Sequence, residues 1–152
     1  GGVGGLRGGG GRVGRGDAWL GGGAIALPGG ALSHVRLGVA GRTPFLALKA
    51  AAYLDRGERK DVYDVVHVLR HWPGGPRTAA VRFRESPVAD APFVRLALDR
   101  LDRDFASRNH VAPRVYAPFM TMAGAAGYSE ALRDDALLVW SRFWDSLDAP
   151  LC

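Results

Sequence analysis

The stretch from Thr43 to Trp72 constrains this chain more than any other part of it, because it predicts two helices joined at Gly57. Thr43 can cap a helix, and Pro44 suits the first helical position because the N–H that it lacks would be unpaired there. Residues 45–56 contain no glycine and are rich in alanine and leucine, which favour helix. Gly57 suits a helix end because glycine adopts the left-handed conformation at low cost. The second helix is predicted to run to about Trp72, since a proline and two glycines follow.

A lysine lies on the apolar face of the first predicted helix. At about 100° per residue, Lys49 shares that face with Phe45 and Tyr53, and Arg56 lies on the same stripe. An ammonium group at a core-facing position is costly to desolvate unless an anion pairs with it. Two interpretations follow. Either Lys49 has an anionic partner and a functional role, or its stem covers apolar surface while its charge stays in water.

Two carboxylates, Asp61 and Asp64, lie on one flank of the second predicted helix. Their spacing of three residues allows them to share one cation. Alternatively, both are acids near the helix start that complement its dipole, with Lys60 and Asp64 forming an i,i+4 ion pair. The pattern alone favours the second interpretation.

The run from Leu48 to Leu69 resembles the C-terminal half of nucleotidyltransferases of the AbiEii/AbiGii toxin type. That family has an apolar turn, a lysine, a small residue, an arginine, a short basic linker, Lys-Asp and a second Asp before an apolar helix. The residues that match this pattern in order are Lys49, Arg56, Lys60, Asp61 and Asp64. Residues 24–41 are similar to the strand and hairpin that precede this helix in the family, and a looser similarity covers most of residues 18–147.

The resemblance implies transfer of a nucleotidyl group from a nucleoside triphosphate, with Mg²⁺ as cofactor, to an RNA or protein acceptor. It assigns nucleotide binding to Lys49, Arg56 and Lys60, with Lys49 on the triphosphate. It assigns a catalytic role to Asp61 and Asp64, which would orient the nucleophile or support the site. Such chemistry needs cations on the phosphates and carboxylates on Mg²⁺. A cognate antitoxin is a further implied partner.

The sequence departs from the family pattern before Lys49. The family's N-terminal half supplies a Gly-Ser turn and a metal-binding Asp-x-Asp pair, and this chain has neither there. Asp17 is the only acidic residue before Asp55. We therefore expect a chain that is truncated at its N-terminus or has lost the catalytic half. The alternative function is a non-catalytic helical domain that binds a protein or an RNA, or a decayed copy without activity.

Composition indicates a globular protein, and its basic charge is compatible with an anionic partner but identifies none, because a GC-rich coding bias explains the arginine excess equally well. The net charge is +5 and the isoelectric point is about 10.0, with arginine supplying most of the excess. Cys152 is the only cysteine, which excludes an internal disulfide and fits a reducing cytoplasm. No apolar run reaches the length of a membrane span, so no membrane partner is expected. His67 and His71 are one turn apart but lack a third ligand, so no metal site is predicted.

The predicted fold class is α+β, with a short N-terminal β-hairpin followed by about five α-helices, as in the C-terminal part of a nucleotidyltransferase fold. Residues 1–17 are rich in glycine and arginine and are predicted to be disordered, and residues 18–149 are predicted to form a single domain. The predicted strands are residues 24–27 and 32–39, joined by Pro28-Gly29-Gly30.

Three further helices are predicted after the first two. They cover residues 77–85, a segment from about Asp90 to Phe105, and residues 129–147. The apolar stripe of the middle one is predicted to consist of Phe93, Leu96, Ala97, Leu101 and Phe105. Residues 109–127 are predicted to form a loop with a short helix around Tyr116. Trp140 and Trp144 continue a helical stripe, which indicates packing rather than a stacking platform for bases.

Overall fold

The computed structural model describes residues 19–26, 32–39, 41–122 and 129–149. The chain divides into two compact units, residues 1–42 and residues 43–152. The segment 1–17, predicted to be disordered, lies outside the described residues, as does the predicted turn at Pro28-Gly29-Gly30. That residues 18–149 form one domain stays a prediction.

The first unit contains two antiparallel strands. Strand β1 covers Trp19–Ala26 and strand β2 covers Leu32–Val39. The register pairs Trp19 with Val39 and Ala26 with Leu32. The sheet consists of these two strands.

The second unit consists of helices in its described part. The α-helices are α1 (Arg42–Arg56, whose first residue falls in the first unit), α2 (Arg59–Arg70), α3 (Gly75–Arg84), α4 (Pro92–Asp104), α5 (Val111–Met122) and α6 (Ser129–Leu147), and a 3-10 turn covers Pro87–Asp90. Helix α6 packs against α3 and α5, and α5 also packs against α2. Among the described residues, no helix combines the length and apolarity that a membrane crossing requires.

The predicted α+β class is wrong for this body. Residues 43–122 and 129–149 contain no strand, and the body is all-helical. The physical reason lies in the core, because every buried apolar residue of the described body except Trp72, in the turn after α2, comes from a helix or from a residue that ends one. The apolar stripes of the helices therefore cover one another without a sheet layer. A two-stranded hairpin is too small to supply such a layer alone.

The junction between α1 and α2 follows the sequence closely. Helix α1 ends at Arg56, and the next residue, Gly57, has a φ of 64°, in the left-handed region. The N–H of Gly57 donates to the carbonyl of Tyr53 at 2.9 Å, which closes the last turn. Helix α2 then starts at Arg59, so a two-residue turn sets the side chains of the two helices against each other.

Helix α5 is longer than predicted. It covers Val111–Met122 and therefore begins in residues predicted as loop, ahead of the short helix predicted over about residues 116–123, and Pro118 lies in its interior. Proline removes one backbone hydrogen bond and disfavours helix. Burial outweighs that cost here, because Ala112, Tyr116 and Ala117 are buried within the body. Tertiary packing has overridden local propensity.

The apolar stripe of α4 agrees with the predicted one at Ala97, Leu101 and Phe105, which are buried, but differs at two positions. Phe93 and Leu96 are more than half exposed. The buried residues of this helix and its end are Val94, Ala97, Leu98, Leu101 and Phe105. At 100° per residue these five cluster within one arc, and Phe93 and Leu96 lie at its edge or beyond.

A buried polar contact ties α1 to α4. The Tyr53 hydroxyl donates to Asp104 at 2.7 Å, and Arg100 Nε donates to the same carboxylate oxygen at 2.9 Å. Burial, and secondarily the bond to Asp104, raises the pKa of the Tyr53 phenol. The contact fixes the helix that carries Lys49 relative to the rest of the body.

Candidate functional site

A buried carboxylate organises the candidate site. Asp61 lies in the first turn of α2, and none of its side chain is exposed. Both of its oxygens accept hydrogen bonds from Arg56 at the end of α1, from Nε at 2.8 Å and from Nη2 at 2.8 Å. This fork geometry is the strongest form of a carboxylate–guanidinium contact. It satisfies a charge that would otherwise be costly to bury.

Lys49 joins this pair to a second, more accessible carboxylate. Its Nζ lies 2.6 Å from Asp64 Oδ2 and 3.6 Å from Asp61 Oδ1. About a fifth of the Lys49 side chain is exposed (20%), and the value for Asp64 is 16%. The Lys49 ammonium also lies 5.5 Å from the centroid of the Phe45 ring. Lys49 and Asp64 are therefore partly open to water, as is the Arg56 guanidinium, whereas Asp61 is closed off from it.

The surroundings of Asp61 and Lys49 favour the charged form of each. The hydrogen bonds from Arg56 are the largest influence that lowers the pKa of the Asp61 carboxyl, and Lys49 adds to it. The hydrogen bond to Asp64 is the main cause of the raised pKa of the Lys49 ammonium. Two cations and two carboxylates thus form a balanced cluster, and Lys49 keeps its charge across the physiological range.

The structure brings together four of the five residues that the sequence singled out. Across the α1–α2 junction, Arg56 pairs with Asp61, and Lys49 pairs with both Asp61 and Asp64. Of the interpretations left open for Lys49, the geometry shows an anionic partner. Lys60 is exposed, and among the described residues it makes no ion pair, with Asp64 or any other acid. The functional roles of the five stay predictions.

The only Asp-x-Asp in the sequence, Asp102 and Asp104 on α4, has structural partners. Asp102 accepts a hydrogen bond from Trp140 Nε1 at 3.0 Å, whereas Asp104 binds Tyr53 and Arg100. Two residues apart on a helix, these side chains diverge by about 200°. They cannot substitute for the metal-binding pair of a nucleotidyltransferase.

A line of aromatic rings, which was not predicted from the sequence, lies beside the site. Tyr63, His67 and His71 follow one another at i,i+4 spacing along α2, and Phe119 of α5 contacts the first of them. The ring centroids are 4.6 Å apart for Phe119–Tyr63, 5.5 Å for Tyr63–His67 and 4.3 Å for His67–His71. We call these four residues the aromatic column. The sequence could have predicted the part on α2 from the i,i+4 spacing of Tyr63, His67 and His71. The contact with Phe119 could not be predicted, because it depends on tertiary packing.

A separate cavity of about 270 Å³ lies among α3, α4 and α6. Its walls include Phe83, Leu98 and Trp144, with Arg84 and Asp99 as charged residues. None of the five predicted site residues lines it. The cavity therefore gives no support to the nucleotide site that the sequence predicted.

No protein-family model matches the chain, and comparisons with curated proteins and with solved structures give no match. The resemblance to nucleotidyltransferases of the AbiEii/AbiGii type rests on the residues and their arrangement alone.

Proposed function

We propose that this chain is a nucleotidyltransferase-like protein of a toxin–antitoxin or abortive-infection type, and that its α1–α2 junction binds the phosphates of a nucleoside triphosphate. The observation that carries this proposal is the partly exposed Lys49–Asp64 pair, held in place by the fully buried carboxylate of Asp61, which Arg56 also binds. A cation fixed by buried contacts and open to water on one side is suited to an anionic ligand.

Lys49 is the proposed phosphate ligand. Its ammonium has three hydrogens, and its partners in the structure are the carboxylates of Asp64 and Asp61. A phosphate oxygen can replace Asp64 as the close partner, because both are anionic oxygen acceptors. Lys60, which is exposed at the start of α2, supplies a further cation to the same side of that helix.

The two aspartates have different proposed roles. Asp61 is fully buried and both of its oxygens bind Arg56, so it positions the cations and is closed to a substrate. Asp64 is partly exposed, and its one ion-pair partner among the described residues is Lys49. Of the two predicted catalytic carboxylates, Asp64 is therefore the one that can meet a nucleophile or a metal-bound phosphate.

The carboxylates described here suit Mg²⁺ only as a companion of the nucleotide. Among residues 41–122 and 129–149, no group of three or more His, Cys, Asp or Glu side chains is placed to hold a metal ion. Mg²⁺ is commonly held by one or two carboxylates together with substrate phosphates. Asp64 fits the single-carboxylate arrangement, and the ion would supply charge neutralisation on the phosphates. The two-carboxylate clamp of the family has no counterpart in these residues.

The remaining parts of the proposal concern partners and location. An RNA or protein acceptor, a cognate antitoxin and a cytoplasmic location follow from the resemblance and from the single cysteine. The basic net charge of +5 supports an anionic acceptor. If Mg²⁺–nucleotide binding is absent, the alternative of a non-catalytic helical domain that binds a protein or an RNA takes precedence.

Replacing Lys49 with alanine is expected to weaken Mg²⁺–ATP binding by about ten- to a hundredfold, the value of one hydrogen bond to a charged group. Isothermal titration calorimetry on the full chain measures this. Arg77→Ala is the matched control, because Arg77 is exposed on α3 and makes no ion pair among the described residues. Equal affinity in Lys49→Ala and the wild type, or equal loss in both variants, would contradict the proposal.

Asp64→Asn is expected to bind tripolyphosphate more tightly than the wild type without Mg²⁺ and to gain less affinity when Mg²⁺ is added. Without the metal, tripolyphosphate should bind more tightly, because the carboxylate that competes for Lys49 is gone. Adding Mg²⁺ should raise the tripolyphosphate affinity of the variant by less than it raises that of the wild type, because the variant has lost a carboxylate ligand for the metal. The measurement is a titration of tripolyphosphate at several Mg²⁺ concentrations, with Asp99→Asn on the exposed face of α4 as the control. A variant that keeps the wild-type Mg²⁺ dependence would count against a metal-linked role for Asp64.

A further inference from the structure

The aromatic column lies on the same face of α2 as the proposed phosphate site. At 100° per residue, the residues Lys60, Asp64, His67 and His71 fall within one narrow arc of the helix, opposite the buried stripe. The helical rise of 1.5 Å per residue places His67 about 4.5 Å and His71 about 10 Å beyond Asp64 along the axis. A nucleotide whose phosphates lie at Lys49 has its base at a comparable distance from them.

The two histidine rings of the aromatic column are exposed to solvent, and a backbone contact orients the ring of His71. His67 and His71 are exposed, whereas Tyr63 and Phe119 are partly buried and join α2 to α5. His71 Nδ1 lies 2.9 Å from the carbonyl oxygen of His67. A carbonyl can only accept, so Nδ1 carries the hydrogen, and Nε2 of the neutral ring is left to accept a hydrogen bond. The backbone contact holds the His71 ring in one orientation before any ligand binds.

We propose that the histidine end of the aromatic column, His67 and His71, stacks against the base of the nucleotide whose phosphates are held at Lys49. This inference rests on the proposed function and specifies how the nucleotide is distinguished from a bare polyphosphate. Aromatic and imidazole rings bind bases through their faces, which tolerates different bases, and His71 Nε2 can accept from an amino or imino group at the base edge. The ligand class is therefore a nucleoside triphosphate with a weak preference for a base that carries such a donor.

The test compares two probes, Mg²⁺–ATP and Mg²⁺–tripolyphosphate, on the full chain. The double variant His67→Ser/His71→Ser removes the exposed rings and keeps Tyr63 and Phe119, which pack between helices. We expect it to bind ATP about tenfold more weakly than the wild type and to bind tripolyphosphate equally well. His110→Ser is the matched control, because His110 is an exposed histidine outside the column, bonded to Ser107.

A spectroscopic readout separates stacking from an indirect effect. In the wild type, ATP should shift the ring proton resonances of His67 and His71 upfield, and tripolyphosphate should not. Unchanged ATP affinity in the double variant, or equal shifts with both probes, would overturn the base site and leave the phosphate site standing. If the wild type and Lys49→Ala bound tripolyphosphate equally well, both the base site and the phosphate site would be overturned.

Discussion

Replacing Trp140 with alanine is expected to lower the free energy of unfolding by about 3–5 kcal/mol, the usual range for removing a buried tryptophan or phenylalanine ring. Trp140 lies on α6 and is almost completely buried. Its ring stacks on Phe105 with centroids 5.0 Å apart and an interplanar angle of 11°, and it also contacts Phe143 and Trp144. The expected loss is a large part of the roughly 5–15 kcal/mol that stabilises a typical domain.

Urea unfolding followed by far-UV circular dichroism measures this loss. Trp144→Ala is the control on the same helix. Trp144 is only partly buried, so its replacement should lower the free energy of unfolding by less. Asp102→Ala, which removes the acceptor of the Trp140 Nε1 bond, should cost about 1 kcal/mol. A Trp140→Ala variant as stable as Trp144→Ala would show that the aromatic cluster is not the centre of this core.

The substitution Asp61→Asn is expected to lower the free energy of unfolding by about 2–3 kcal/mol at neutral pH, the range for hydrogen bonds to charged groups in a buried setting. The amide keeps the shape of the carboxylate, but it loses the charge that pairs with Arg56 and Lys49. Its NH₂ group would also face one of the cations. Because Asp64 still pairs with Lys49, the variant should fold, and its stability can be measured by urea unfolding.

The effect of Asp61→Asn should depend on pH in a defined direction. Arg56, and then Lys49, lowers the pKa of Asp61 below its ordinary value of 3.8, so the unfolded chain takes up this proton at a higher pH than the folded chain does. The stabilisation is therefore complete above about pH 4–5 and is lost as pH falls through the folded-state pKa. The difference in the free energy of unfolding between the wild type and the variant should be constant from about pH 5 to 7 and should shrink below about pH 4.

Asp134→Asn provides the control for this measurement. Asp134 pairs with Arg108 at 2.9 Å, but about half of each side chain is exposed. Solvent screens such pairs, so the expected loss is below about 1 kcal/mol. If the difference in the free energy of unfolding between Asp61→Asn and the wild type stayed unchanged below pH 3, the carboxylate charge would not be the source of the stabilisation.

The candidate site was largely predictable because its residues are close in sequence. Lys49 and Arg56 lie on one helix, Asp61 and Asp64 lie on the next, and only Gly57 and Glu58 separate the two helices. A short turn forces their facing sides together, so the local pattern fixes which charges can meet. The choice among the possible ion pairs was not predictable, since the sequence pattern favoured Lys60–Asp64, whereas the structure pairs Asp64 with Lys49.

The sequence by itself determined most of the helices, through capping residues, glycine breaks and apolar stripes such as the one on α6 that buries Ala136, Val139 and Phe143. Only the tertiary structure decided the all-helical class of the body, the length of α5 through Pro118, and the meeting of Phe119 with Tyr63. The physical reason is the range of the interactions. Helix signals act over a few residues, whereas burial depends on which surfaces from distant parts of the chain cover one another.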